Sequence, residues 1–99
     1  MENNTLNNKV DEWFIERGLE KADPHGQMVK LYEEVNELHL AIYNNDIEGI
    51  IDALGDIQVV LRGLGLQLNL DLEDCLESAY DVIKHRTGKL VNGIWVKDE

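Results

Sequence analysis

Apolar residues recur along most of this chain at steps of three and four, the period of a helix with one buried face. Leu6, Val10, Trp13 and Phe14 set the first run, which Gly18 stops, and predict a helix over about 5–18, with the polar start MENNT expected to fray. Asp23-Pro24 opens the next, because an aspartate caps free N–H groups and proline suits a first turn. Met28, Leu31, Val35, Leu38 and Ile42 then form a bundle-type seam over about 25–44, which Asn44-Asn45-Asp46 terminates. Asp46 caps a third helix, about 47–67, with Ile50, Leu54, Ile57, Leu61 and Leu64 on one stripe and Ile51, Val59 and Val60 widening it. Gly63 and Gly65 are expected to weaken its end. A fourth helix is expected over about 71–87, on Leu72, Cys75, Leu76, Ala79, Val82 and Ile83. In the remaining stretch, about 89–97, Asn92-Gly93 separates two short apolar runs and predicts a hairpin. The expected architecture is all-α, a four-helix bundle-like single domain over 1–99 with a small C-terminal β-hairpin.

Composition narrows the partners. Twenty Asp and Glu against nine Lys and Arg give a net charge of −11, which opposes binding to a nucleic-acid polymer or an anionic membrane. The single cysteine excludes an intramolecular disulfide. The chain has no run of 18 apolar residues and no charged-then-apolar leader, so a cytoplasmic location is expected. Apolar stripes this wide on so short a chain predict burial against further copies, as a homodimer or homotetramer.

The acids carry the candidate chemistry. Glu34 and Glu37 lie about 60° apart around the second helix and one turn above each other, beside the Val35 and Leu38 seam. Asp52 and Asp56, four apart on the third helix, are about 40° apart. Two helices joined by a three-residue turn bring these pairs roughly level. Carboxylates crowded at a half-buried seam call for a hard cation, with Mg²⁺ the first choice and Mn²⁺ the second. The bland alternative is that both pairs merely solvate helix faces. His25, His39 and His85 lack ligand spacing and read as surface groups, Cys75 and Phe14 as core, Trp13 as a core anchor and Trp95 as an interface plug.

The segment Glu33-Glu34-Val35-Asn36-Glu37, followed by Asp52-Ala53-Leu54-Gly55-Asp56, resembles the EExxE and ExxD motifs of MazG-like nucleotide pyrophosphohydrolases. Tyr80 to Lys89 and the Asn92-Gly93 hairpin are similar to the short phage and bacterial members, and the resemblance spans roughly 25–97. It implies Mg²⁺-dependent hydrolysis of a nucleoside triphosphate, deoxy or non-canonical, to the monophosphate and pyrophosphate. By position it implies Glu34, Glu37 and Asp56 as metal ligands. The fourth motif position is Ala53, which cannot bind metal, and Asp52 is the neighbouring acid on offer. Glu33 and Glu34 are both candidates to activate the water. Lys30, Lys84 and Arg86 are the candidate cations for the substrate phosphates. A decayed site on an acidic helical oligomer that binds other proteins is the competing reading, kept open by Ala53.

Overall fold

A computed structural model describes residues 3–98. It is all-α apart from a terminal hairpin, as the periodicity predicts. The elements are α1 (Asn3–Glu16), a 3-10 turn (Leu19–Lys21), α2 (Pro24–Tyr43), α3 (Ile47–Leu68), α4 (Leu72–Ile83), β1 (Gly88–Val91) and β2 (Ile94–Lys97). Met1 and Glu2, part of the stretch expected to fray, lie outside the described residues.

Aspartate caps set three helix starts. Asp23 accepts the His25 N–H at 2.8 Å, Asp46 the Gly49 N–H at 3.0 Å, and Asp71 those of Glu73 and Asp74 at 2.8 and 3.3 Å. The amides of Asp74 and Glu73 hold the Asp71 carboxyl below its ordinary value by stabilising its charged form. At the far end, α3 closes on Asn69, which adopts left-handed φ of 61°, and Leu70 donates back to the Gly65 carbonyl at 2.8 Å. The hairpin turns through Asn92 and Gly93, both at positive φ (53° and 80°), and pairs Val91 with Ile94 and Gly88 with Lys97.

The packing centre is the hairpin of α2 and α3, with α1 and the 3-10 turn laid across α3. Its buried apolar residues are few: Phe14, Ala41, Ala53, Val60 and Leu64. Phe14, 3% exposed, sits over Gly63, where an added Cβ would stand 2.6 Å from two ring carbons and 2.8 Å from Gln27 Nε2. Gly63 is therefore the point where α1 and α2 approach α3 closely. Gly65 likewise faces Leu70 and Leu72 at the turn into α4. α3 runs through both glycines to Leu68, so neither ends it, and both are buried at close approaches: a Cβ at Gly63 would clash with the Phe14 ring, and one at Gly65 would stand 3.1 Å from the Leu70 carbonyl oxygen.

Other boundaries shift as well. α1 stops at Glu16, because Gly18 turns left-handed and starts the 3-10 turn that pattern reading does not foresee. α4 ends at Ile83 rather than near 87. The predicted stripes are also less covered than expected. Val35, Leu54 and Trp13 are about half exposed, and the described residues of α4 and the hairpin are almost all exposed, Cys75 and Trp95 included. Cys75 is thus not core in a single chain, since α4 touches the rest of the fold mainly at its first turn. That turn is tied down by Arg62 of α3, whose guanidinium donates to Asp11 of α1 through Nε and Nη2 at 3.0 and 2.7 Å, and to Glu73 of α4 through Nη1 at 2.8 Å. Among the described residues, no helix is long and apolar enough to cross a membrane.

Candidate active site

Helical spacing and the short turn after α2 bring the predicted acids into one electrostatic neighbourhood. Glu34 is its centre. Its Oε1 is shut off from solvent and accepts no hydrogen bond among the described residues. The Glu34 carboxyl is pushed above its ordinary value, first by burial, then by the charges of Glu37 and Asp56, then by a carboxyl–carboxyl contact with Glu37, with a further push from Asp52. Three acids from two helices thus act on one carboxyl, and no cation is among the groups that shift it.

The remaining carboxylates are more open. Asp56 is half-buried, while Glu33, Glu37 and Asp52 are exposed. Among the described residues, no three Asp, Glu, His or Cys side chains stand close enough together to enclose a metal ion as they are placed. The acids surround Glu34 without closing on a common point. Their donor chemistry nevertheless fits a hard divalent cation: all are oxygens, and one is a desolvated oxygen lacking a donor.

Ala53, the motif position without an acid, is 2% exposed and packs at the seam of α3 with α2. One turn earlier, a Cβ on Gly49 would lie 3.2 Å from that of Ala41, which shows how close the two helices run there. Asp52 points away from this seam, one residue and 100° earlier.

The candidate phosphate cations lie on α2 and around the end of α4. Lys30 is exposed one turn before Glu34. Lys84 pairs with Asp81 at 3.1 Å and lies 5.8 Å from the Tyr80 ring centre. Arg86 sits in the exposed segment between α4 and the hairpin. His25, His39 and His85 are exposed, as their spacing suggested.

Pattern reading misses a groove of about 750 Å³ between α1, α3 and α4. Asp52, Gly55 and Asp56 line one part of it, Val10, Val59 and Leu76 give it apolar walls, and Arg62 and Glu73 belong to its lining as well. A smaller recess of about 320 Å³, around Gly65, Asn69 and Asp71, shares Arg62 and Glu73 but contains none of the four acids. The groove's floor was partly readable: Asp52, Gly55, Asp56, Val59 and Arg62 recur at helical spacing along one face of α3.

Residues 6–87 match the family model described as phosphoribosyl-ATP pyrophosphohydrolase. The match takes in all four acids, α1 from Leu6 onward and the whole of α4, and stops before the hairpin. No curated protein and no solved structure matches the chain.

Proposed function

We propose, from the premise that the chain belongs to the phosphoribosyl-ATP pyrophosphohydrolase family within the MazG-like all-α superfamily, that it hydrolyses a nucleoside triphosphate to the monophosphate and pyrophosphate. The observation that carries this is Glu34, a desolvated carboxyl with an unpartnered oxygen, raised by Glu37, Asp56 and Asp52. Crowding of this kind costs stability, and sites that spend stability in a cleft are where chemistry is done. The matched family is named for a pyrophosphohydrolase acting on an ATP derivative, and a deoxy or non-canonical triphosphate presents the same scissile bond.

Glu34, Glu37, Asp52 and Asp56 would hold Mg²⁺ or Mn²⁺. When bound, such an ion lowers the pKa of water and offsets charge on the phosphate oxygens. Glu33 and Glu34 are the residues able to take the proton of the attacking water, and Glu33, exposed beside the cluster, keeps its carboxylate free if Glu34 is engaged as a ligand. Lys30 is the cation on the same helix as the EExxE acids. Lys84 and Arg86, at and just beyond the end of α4, are the further phosphate cations, supplied by this chain or by a second copy in a homodimer or homotetramer built on the exposed apolar faces of α4 and the hairpin.

The test is a panel of triphosphates with separate detection of pyrophosphate and phosphate across a Mg²⁺ titration. Pyrophosphate release that needs the ion, and is lost in Glu37→Gln and Asp56→Asn, is the expected result. Full indifference to divalent ions and no turnover would favour the interaction module, the reading that the buried Ala53 supports.

A further inference from the structure

We infer that the groove between α1, α3 and α4 holds the nucleoside half of the substrate, with the edge of the base directed at Asn7 and Glu73. This rests on the function proposed above and adds to it where the base sits and what reads it. Three features of the groove support the assignment.

First, the groove is continuous with the acid cluster, because Asp52 and Asp56 belong to both. A triphosphate engaged at those acids has its ribose and base within reach of the same cavity. Second, the size and lining suit a flat, mostly apolar group. The volume of about 750 Å³ lies within the ~300–1,000 Å³ of small-molecule sites. Val10, Val59 and Leu76 offer aliphatic faces, and at Gly55 nothing lies within 4 Å of a built Cβ, so a ring can approach the α3 backbone there. Along α3, Arg62 lies six residues beyond Asp56, about 9 Å at helical rise, a span suited to ribose and base between the two.

Third, the end beyond the apolar walls has hydrogen-bonding capacity left over. Arg62 and Asn7 both donate to Glu73 Oε2, at 2.8 and 3.3 Å, while Glu73 Oε1 accepts nothing among the described residues. Arg62 is spent largely on Asp11 and Glu73, which fixes its guanidinium and with it the Glu73 carboxylate. Glu73 lines the groove as well as the recess beside it, so at this end the groove offers a carboxylate, an acceptor held in place by Arg62 and Asn7. Acceptors select a base edge that donates, so bases with an exocyclic amino group, as in dAMP, dCMP and dGMP, fit it better than thymine, whose one donor, N3–H, stands between two carbonyl oxygens that a carboxylate repels. Glu73 and Asn7 are specificity residues in this scheme, and Arg62 is a positioning residue that acts through Glu73.

The experiment is calorimetric binding of the four deoxynucleoside monophosphates, and of inorganic pyrophosphate, to the full chain with Mg²⁺, alongside light scattering. The variants are Val59→Trp, which fills the groove from α3, and Leu76→Trp, which does so from α4 at a position 71% exposed that tolerates bulk. At least tenfold weaker binding of the amino-bearing monophosphates is expected in both variants, with pyrophosphate affinity and molecular mass unchanged. In the parent chain dTMP is expected to bind at least tenfold more weakly than the other three, and Glu73→Gln should narrow that gap to within about threefold. Unchanged nucleotide affinity in both variants would overturn the assignment, and a simultaneous change in mass would make the groove a contact between copies. Equal binding of all four monophosphates would overturn the reading by Glu73 and Asn7. If the parent chain binds neither pyrophosphate nor nucleotide, the hydrolase reading itself falls, whereas pyrophosphate binding and turnover that survive a failed groove test leave it standing.

Discussion

Placing a glutamate at position 53 would complete the ExxD pattern, and the structure makes that change costly. Ala53 is 2% exposed on α3, three residues from Asp56 and one turn from Gly49, where α3 runs close to Ala41 of α2. Ala53→Glu would put a fifth carboxylate beside a cluster in which Glu37, Asp56 and Asp52 already act on Glu34, without a cation among the groups that shift it. An uncompensated buried charge costs about 3–5 kcal/mol, out of a total of about 5–15 kcal/mol for a domain. At about 4–8 °C per kcal/mol for a chain of this size, the variant should melt at least about 12 °C below the parent at neutral pH without divalent ions. Asp52→Asn, one residue away but exposed, should change stability by no more than about 0.5 kcal/mol. The assay is thermal unfolding by circular dichroism at pH 5 and 7, with and without Mg²⁺. The loss should shrink at pH 5, where Glu34, raised above its ordinary value, carries less charge, and should be partly recovered by Mg²⁺. A loss of the same size in all four conditions would show that crowding rather than charge sets the cost. No loss at all would mean that position 53 does not face the acids.

Glu34→Gln tests the cluster from the opposite side. Its folded-state pKa lies above the ordinary 4.5, so its contribution to stability is fully present below that value and is lost as pH rises through the raised one. Without divalent ions, the variant should match the parent at low pH and become the more stable of the two as pH approaches neutrality, while losing any Mg²⁺-induced rise in melting temperature. A parent that stays ahead at neutral pH would contradict this. Gly63→Ala should destabilise by about 1–2 kcal/mol, overpacking against Phe14 outweighing the helix gain, whereas Gly55→Ala on the same helix should stabilise by about 0.5–1 kcal/mol, because nothing stands near its Cβ; urea midpoints that move in the same direction would refute the pair. Arg62→Met should cost about 1–3 kcal/mol by stranding Asp11, against at most about 0.5 kcal/mol for Lys84→Met, whose pair with Asp81 is exposed.

Local chemistry made much of this molecule readable in advance. Asp23-Pro24, Asp46 and Asp71 announce helix starts through their own hydrogen bonds, and Asn92-Gly93 tolerates the positive φ that its turn demands. The acid pairs were legible for the same reason, since helical period alone aligns Glu34 with Glu37 and Asp52 with Asp56. What periodicity cannot give is the neighbour on the other side. Gly63 reads as a flaw until Phe14 is seen above it, and Ala53 as a missing ligand until its burial is known. Cys75 reads as core because its stripe is apolar, yet α4 packs mainly through its first turn and leaves Cys75 exposed. The groove requires α1, α3 and α4 to be placed together, and the Arg62 link spans 51 positions of sequence to Asp11.

The three-residue turn between α2 and α3 also bears on how the protein acquires its shape. Glu34, Glu37, Asp52 and Asp56 all fall within one helical hairpin, whose closure needs only contacts between residues near in sequence. Loop-closure entropy is small for such a pair, and chains rich in local contacts collapse in microseconds to milliseconds. A hairpin that closes this locally brings its four carboxylates together as it forms, so their mutual repulsion acts on the closing step itself. The ionic conditions of synthesis would thus govern the rate at which this chain folds as well as its final stability.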